Sequence, residues 1–517
     1  MSKQSRRPGR EEAKKKRKQD KEAWKALHRR QRSQGLEPPS RSTPSNCLSK
    51  DKTVEEETLS RQETVEAQLT VIRSQLPKLL ARLKTIPDPR NPQRIKHKMT
   101  VVLLYGILMF VFQMSSRRDT NSKMSQPQFL ENLKLIFPEL ETLPHNDTLW
   151  RLLSRIEVAE IEKVLADLVR SLIGSKKFKN YLTKCGYMIA IDGTQKFRRT
   201  TPWCSEAVAS RTGSETEEGE RSKQYSVYVL EANLVFANGV TLPLASEFIE
   251  VTTNEGEGSK EKDKQKQDCE SKAFKRLAET IKSRFPRLRI MVLLDGLYPN
   301  GPVFAICRRN NWDFMIVLQD KCLKAVWEEA HSLRKLDTNQ EHTYEQNWGD
   351  RRQAFWWVND IEHSYGPNNR HKEILHLVVC EETWEGIEAQ KVVRKQSRHA
   401  WVSRKPLTKR NVHERCNEGA RHRWGVESSI LVEKKYGYQS EHCFALDWEA
   451  MKGYHYLMRI AHLLNALANR TRALREKVSE LGLTRLMAFI VTTLSGKWLD
   501  PERIQNVIHG PSQLRLE

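Results

Sequence analysis

The sequence predicts a mixed α/β chain: a sheet flanked by helices and interrupted by a β-rich insertion, preceded by an all-helical domain and a basic disordered arm. Three observations carry that prediction. Apolar residues recur at helical spacing between residues 65 and 182, change to short continuous runs between 187 and 318, and return to the helical period after 412. At 517 residues the chain exceeds the roughly 150 residues of an ordinary domain. Its 88 Lys and Arg against 65 Asp and Glu leave a net charge of +23, for which the natural partner is a polyanion, nucleic acid first.

The first 34 residues hold fourteen Lys or Arg against four acids, close to half of the net charge. Gly35 to Pro44 adds Pro and Ser with almost no apolar side chains, so residues 1–60 read as a mobile basic arm touching phosphates. The run Lys14 to Lys18 also has the composition of a nuclear-import signal. Residues 61–175 form the helical domain. Val65, Leu69, Ile72, Leu76, Leu79 and Leu80 line one face of a helix that stops before Pro87. Thr100 to Phe112 is apolar throughout but shorter than the ~18 residues of a membrane span, which makes it a core helix and leaves no membrane or secretion signal. Gln126 to Phe137 is a second helix, and Asn146-Asp-Thr148 caps a third. Arg151 and Arg155 on that third helix either enter a DNA groove or are solvated arginines on a packing helix.

Residues 176–319 carry the strand pattern. Tyr187 to Asp192 is a buried strand closed by Asp-Gly; Tyr225 to Phe236 and Thr241 to Val251 follow, joined by an Asn238-Gly239 hairpin turn, as antiparallel neighbours. Gln265 to Phe285 is a helix, Leu288 to Asp295 a second apolar strand ending in Asp-Gly, Val303 to Arg309 a helix, and Trp312 to Leu318 a strand. Residues 320–411 turn irregular and aromatic, with strand-like runs at Ala354 to Ile361, Ile374 to Cys380 and His399 to Val402. Six of the thirteen tryptophans fall there, and Trp356 and Trp357 are either core or, one of them, a stacking platform for an extruded base. From Val412 onward helices return, Ala445 to Leu474 being a long one; residues 412–470 complete the α/β part and residues 471–517 form a C-terminal helical region.

Nine cysteines without a C-x-x-C pair fit reduced thiols in the cytoplasm better than disulfides or a zinc ribbon. His413, His422, His442, His455 and His462 lack zinc-like spacing and read as packing or phosphate contacts. Neither a Gly-x-Ser-x-Gly elbow nor a phosphate-cradling Gly-rich loop ending in Gly-Lys is present, against Ser/His/Asp hydrolysis and ATP-driven machinery.

The chemistry concentrates on carboxylates. Asp192 and Asp295 each end an apolar strand, where α/β sheets place their sites. Two carboxylates converging there repel unless divalent cations neutralise them, and oxygen ligands suit Mg²⁺ or Mn²⁺. Two ions ~3.5–4 Å apart need a third carboxylate, for which Glu427 is the candidate. Arg423, Glu427 and Lys434 fall on one helical face with Lys435 beside them, so a metal ligand is flanked by cations able to hold phosphates; the plainer reading is a surface helix with an i,i+4 ion pair.

These residues resemble the insertion-sequence transposases that carry an Asp-Asp-Glu site on a ribonuclease H-like fold with a β-rich subdomain before the Glu. The resemblance runs from about Asp88 to Leu467. It rests on MIAIDGTQ around Asp192, IMVLLDGLY around Asp295, RWGVESSILVEKKYGY around Glu427 and DWEAMKGYHYLMRIAHLLN behind it, with HNDTLWRLLSRI similar to the helical DNA-recognition region of such enzymes. Of that branch's Tyr-x₂-Arg-x₃-Glu-x₆-Lys signature, Arg423, Glu427 and Lys434 match and Ala420 stands at the Tyr position. The resemblance implies a nucleoid-associated homodimer that binds the terminal inverted repeats of its element. Such an enzyme cleaves a strand by two-metal chemistry and joins the freed 3′-OH to target DNA. The alternatives are a catalytically retired DNA-binding repressor or architectural protein, and a metal nuclease that cuts without joining.

Overall fold

The structure, a computed structural model, describes residues 10–39, 49–204, 206–212, 222–250, 259–510 and 513–516. Helices α1 (Arg10–Ser33), α2 (Val54–Leu83), α3 (Met99–Val111), α4 (Arg117–Met124), α5 (Pro127–Ile136), α6 (Asn146–Leu153) and α7 (Val158–Gly174) precede the strands β1 (Tyr187–Arg199), β2 (Val208–Thr212), β3 (Ser222–Val235) and β4 (Thr241–Ile249). Then come α8 (Ser259–Arg284), β5 (Ile290–Leu294), α9 (Gly301–Arg309), β6 (Asp313–Val317), α10 (Lys324–Leu336), β7 (Thr343–Trp348), β8 (Arg351–Tyr365), β9 (His371–Glu388) and β10 (Lys391–Ser403). The chain ends with α11 (Trp424–Lys435), α12 (Trp448–Ala468), α13 (Arg472–Leu481), α14 (Leu483–Leu494) and α15 (Pro501–His509). These elements divide into a larger unit, Thr43–Leu293 with Arg421–Glu517, and a smaller one, Met1–Ser42 with Leu294–Ala420.

In the larger unit β1 runs parallel to β5 and antiparallel to β3, whose other edge takes β4 and then β2. The β3–β4 hairpin turns at Gly239, whose φ of 80° is the left-handed region that glycine enters without strain. The core helices are α3, buried along almost its whole length, and α12, buried on every side. A helix buried on all sides has no solvent face to offer, and its polar residues must find partners inside. Accordingly α12 packs against α2, α3, α6, α7 and β4. Thr53 caps α2 by accepting from Glu56 N, while the cap of α6 is His145, which accepts from Asp147 N. The expected cap around Asn146-Asp-Thr148 is thus shifted by one residue. Asn146 is buried and its side chain is occupied by Tyr105, Met109 and Tyr454.

In the smaller unit β7, β8, β9 and β10 form an antiparallel meander, and β10 pairs with β6. Helix α10, inside the region read as irregular, lies on β8. Arg415 grips Asp313 with two bonds of 2.7 and 3.0 Å, a buried bidentate pair. The expectation of a disordered arm is corrected here, because Arg10–Ser33 is helix α1. Its Lys, Glu, Ala and Arg are strong helix formers with no Gly or Pro, and Glu11 and Glu12 open it while Arg30 and Arg32 close it, in the sense the helix dipole favours. Leu27 and Leu36 are buried, Arg30 pairs with Glu385 on β9, and Glu37 N donates to Gly349 O at 2.7 Å. Composition counts charge along a segment, whereas docking needs only a few apolar positions on one face. The first nine residues and residues 40–48 lie outside the described ones.

Candidate functional site

Asp192 follows four buried apolar residues, Met188 to Ile191, and is itself half-buried. The parallel pairing of β1 with β5 runs from Tyr187↔Ile290 to Ala190↔Leu293. The strand does not close at Asp192, as the Asp-Gly pair led us to expect. It loses its parallel neighbour but keeps β3, continuing to Arg199 with an irregularity between Gln195 and Phe197. Gly193 therefore makes no turn; it admits Glu270, whose Oε1 would lie 3.3 Å from a Cβ there. Asp295 does end its strand: its Oδ1 accepts from Leu297 N at 2.9 Å as the chain bends toward α9. Gly296 lets the Gln319 side chain approach, since a Cβ would stand 2.7 Å from it and oblige that side chain to move.

Glu427 lies in the first turn of α11 and is 36% exposed, its Oε1 accepting from Arg423 Nη2 at 2.7 Å. The helix seats on the β3–β4 hairpin because residue 425 is glycine; a Cβ would stand 2.8 Å from Thr241 and 2.9 Å from Val235. Arg423 is only 7% exposed, yet among the described residues its Nε and Nη1 have no hydrogen-bond partner. Buried donors of this kind are costly unless an acceptor reaches them, and a phosphate oxygen is a suitable acceptor. Lys434 is already engaged, by Gln195 O at 2.6 Å and Glu441 at 3.2 Å, whereas Lys435 is exposed. Asp192 and Glu427 belong to the larger unit and Asp295 to the smaller. Among the described residues no group of three or more His, Cys, Asp or Glu side chains is arranged as a metal site. In chemical character the three carboxylates are hard oxygen donors of the kind that suits Mg²⁺ or Mn²⁺.

The tryptophans exchange roles. Trp356 and Trp357 are 4% and 3% exposed and offer no face to a base. β8 is an interior strand between β7 and β9, and Trp356 lies under the Arg334 guanidinium of α10 at 4.2 Å. The exposed ring is Trp424, 63% accessible beside Arg423 and one turn before Glu427. Sequence reasoning passed over it; the available signal was an aromatic residue on the charged face of a helix. Arg151 and Arg155 are both exposed. Near them a recess of about 950 Å³ is lined by Arg117, Arg118, Ser122, Ser125 and His145, with Asp147 paired to Arg117.

Behind β1, β3 and α11 lies a buried ionic cluster. The register sets Asp192 opposite Glu231, and opposite residues of an antiparallel pair project from the same face. Arg459, with no solvent exposure, donates to Glu231 at 2.5 Å, Glu433 at 3.2 Å, Asn233 Oδ1 at 2.8 Å, Ala232 O at 3.1 Å and Ala245 O at 3.4 Å. The two carbonyls belong to the pair that adjoins a slip in the β3–β4 pairing, on whose other side stands Pro243, which has no N–H to give the ladder. Burial pushes the Glu231 carboxyl up to about 7, with Arg459 holding it back, and pulls the Lys196 ammonium down to about 8. Burial also acts to raise Glu433, but Arg459 and the 2.6 Å bond from His462 outweigh it and hold that carboxyl below its ordinary range. His455 sits 3.3 Å from Lys196 and 2.9 Å from Ser246, so His455 and His462 are packed hydrogen-bonding groups, the first of the two readings open to them in the sequence.

Among the described residues no helix is long and apolar enough to cross a membrane. Residues 80–169, from the end of α2 into α7, match the family model described as DDE_Tnp_1-associated, which points to a DDE-type transposase family. No curated protein matches the chain.

Proposed function

We propose that this chain is a DNA transposase that cleaves strands at the terminal inverted repeats of its element and joins them to target DNA, with Asp192, Asp295 and Glu427 as its catalytic carboxylates. What supports the reading most is the β1–β5 register. Asp192 stands two residues beyond Ala190 and Asp295 two residues beyond Leu293, the last pair of the parallel strands. Parallel strands place their sites at this carboxyl end. The match at residues 80–169 supports it from the other end of the chain.

Two Mg²⁺ or Mn²⁺ ions, when held by the three carboxylates, supply acidity to the attacking water and charge compensation to the departing 3′-oxygen. Arg423 offers its two unpartnered nitrogens to the phosphate next to the scissile bond, and Lys434 and Lys435 add positive charge along the same helix. Trp424 is exposed for stacking against a base at the strand end. Arg118, Arg151 and Arg155 contact the duplex backbone, and a homodimer in the nucleoid holds two ends together.

The test uses end-containing DNA taken from the inverted repeats that flank the reading frame. Asp192→Asn, Asp295→Asn and Glu427→Gln each lower Mg²⁺-dependent cleavage by about 10³-fold or more while duplex binding persists. Cleavage at the wild-type rate by any one of the three removes it from the site. Tight binding by a wild-type chain that never cuts identifies a retired binding protein instead.

A further inference from the structure

We infer that Arg459 and Glu433 are positioning residues that fix the rotation of α11, and with it the aim of Glu427, against the strand that carries Asp192. The inference rests on the function proposed above and names residues which that reading leaves out. One guanidinium, on α12, bridges β3 and α11. Through Glu231 it holds the strand residue directly across from Asp192, and through Glu433 it holds the helix of Glu427. Glu427 and Glu433 are six residues apart on α11, so at ~100° per residue they point about 120° apart around the axis. Glu433 is buried at 1% exposure while Glu427 reaches the surface at 36%. Turning the helix enough to re-aim Glu427 withdraws Glu433 from both Arg459 and His462 and leaves buried charges unpaired.

The same guanidinium closes the slip between β3 and β4 by taking the carbonyls of Ala232 and Ala245. Helix and hairpin are thereby referred to a single rigid group, and β1 follows through its pairing with β3. An ordinary packing contact tolerates small rotations; a forked donor with five acceptors does not. Carboxylates that bind metals keep their orientation through such supporting bonds, whose loss typically costs about 10–100-fold in metal affinity or activity.

The experiment compares Glu433→Gln, Arg459→Lys and the milder His462→Gln with His455→Gln. His455 lies in the same buried cluster and on the same helix but bonds Ser246 and Lys196, not α11. Three readouts on the full chain are used: hydrogen exchange of the α11 amides, Mn²⁺ affinity by electron paramagnetic resonance, and the split between DNA affinity and cleavage rate. Glu433→Gln and Arg459→Lys speed α11 exchange and weaken Mn²⁺ binding by about tenfold, and slow cleavage with DNA affinity unchanged; His462→Gln gives a smaller change in the same direction. His455→Gln moves none of the three. Unchanged α11 exchange in Glu433→Gln overturns the inference, and so does an equal effect from His455→Gln, which would mean general softening of the core. If Glu433→Gln and Arg459→Lys do not fold, His462→Gln against His455→Gln decides alone. A wild-type chain that binds Mn²⁺ yet never cuts defeats the proposed function while the exchange and affinity readouts still judge this one.

Discussion

Glu231→Gln isolates the electrostatic cost of the buried cluster. In the folded chain the Glu231 carboxyl is raised from 4.5 to about 7 by burial, with Arg459 opposing. A raised carboxyl means that the folded state holds its proton more tightly than the unfolded chain, so stability falls as pH rises between those values. At ~1.36 kcal/mol per unit the loss from pH 4.5 to 7 is on the order of 3 kcal/mol. Lys196 acts in the opposite sense. Its folded value of about 8 lies below 10.5, so the unfolded chain binds more protons between them and stability recovers as pH rises through that window. The assay is urea denaturation of wild type and Glu231→Gln at pH steps from 4.5 to 10, read as the difference between the two profiles. The variant gains on wild type by about 3 kcal/mol between pH 4.5 and 7. Its alkaline recovery also begins at lower pH, because Lys196 has lost a neighbouring charge that held its proton. Parallel profiles for the two proteins would refute the assignment of a strained carboxyl at residue 231.

Two further outcomes bear on nucleic-acid contact. Changing the exposed run Lys14 to Lys18 to glutamine lowers the slope of log binding constant against log salt by about 0.9 per phosphate lost. An unchanged slope means that α1 does not face DNA. Trp357→Ala removes a ring that is 3% exposed, costing about 3–5 kcal/mol in denaturant titrations of the smaller unit with no change in duplex affinity. A binding defect without that loss of stability would return Trp357 to the role of base platform.

Where an element carries its own apolar period, or its partner lies near in sequence, the residues announce the structure. Met451, Tyr454, Leu457 and Met458 mark the buried length of α12, and Asn238-Gly239 fixes the β3–β4 hairpin. Legibility fails where a distant partner decides. The apolar run ending at Ile191 looks like the end of a strand because nothing nearby shows that β3 supports seven more residues. For Trp356 and Trp357 the residues leave core and base platform both open, because the cover that α10 gives Trp356 has no local signature. Arg459 on α12 and Glu433 on α11 carry no local sign of burial, although both are buried; their charges are tolerated only because each finds the other, with His462 bonded to Glu433 beside them. The carboxylates were legible as a chemical type. Their supports were not, since an ion cluster is a property of four elements at once.

The larger unit is discontinuous in sequence, with Leu294–Ala420 standing between its two parts. On the ribosome, at ~5–20 residues per second, those 127 residues take roughly 6–25 s to emerge, and α12 comes only after them. Until then α2, α3, α6 and α7 wait without the helix they surround, showing apolar faces to whatever chaperone is at hand. A message cut short before residue 448 yields a product with its centre missing, so a premature stop late in the reading frame is as damaging as one near its beginning.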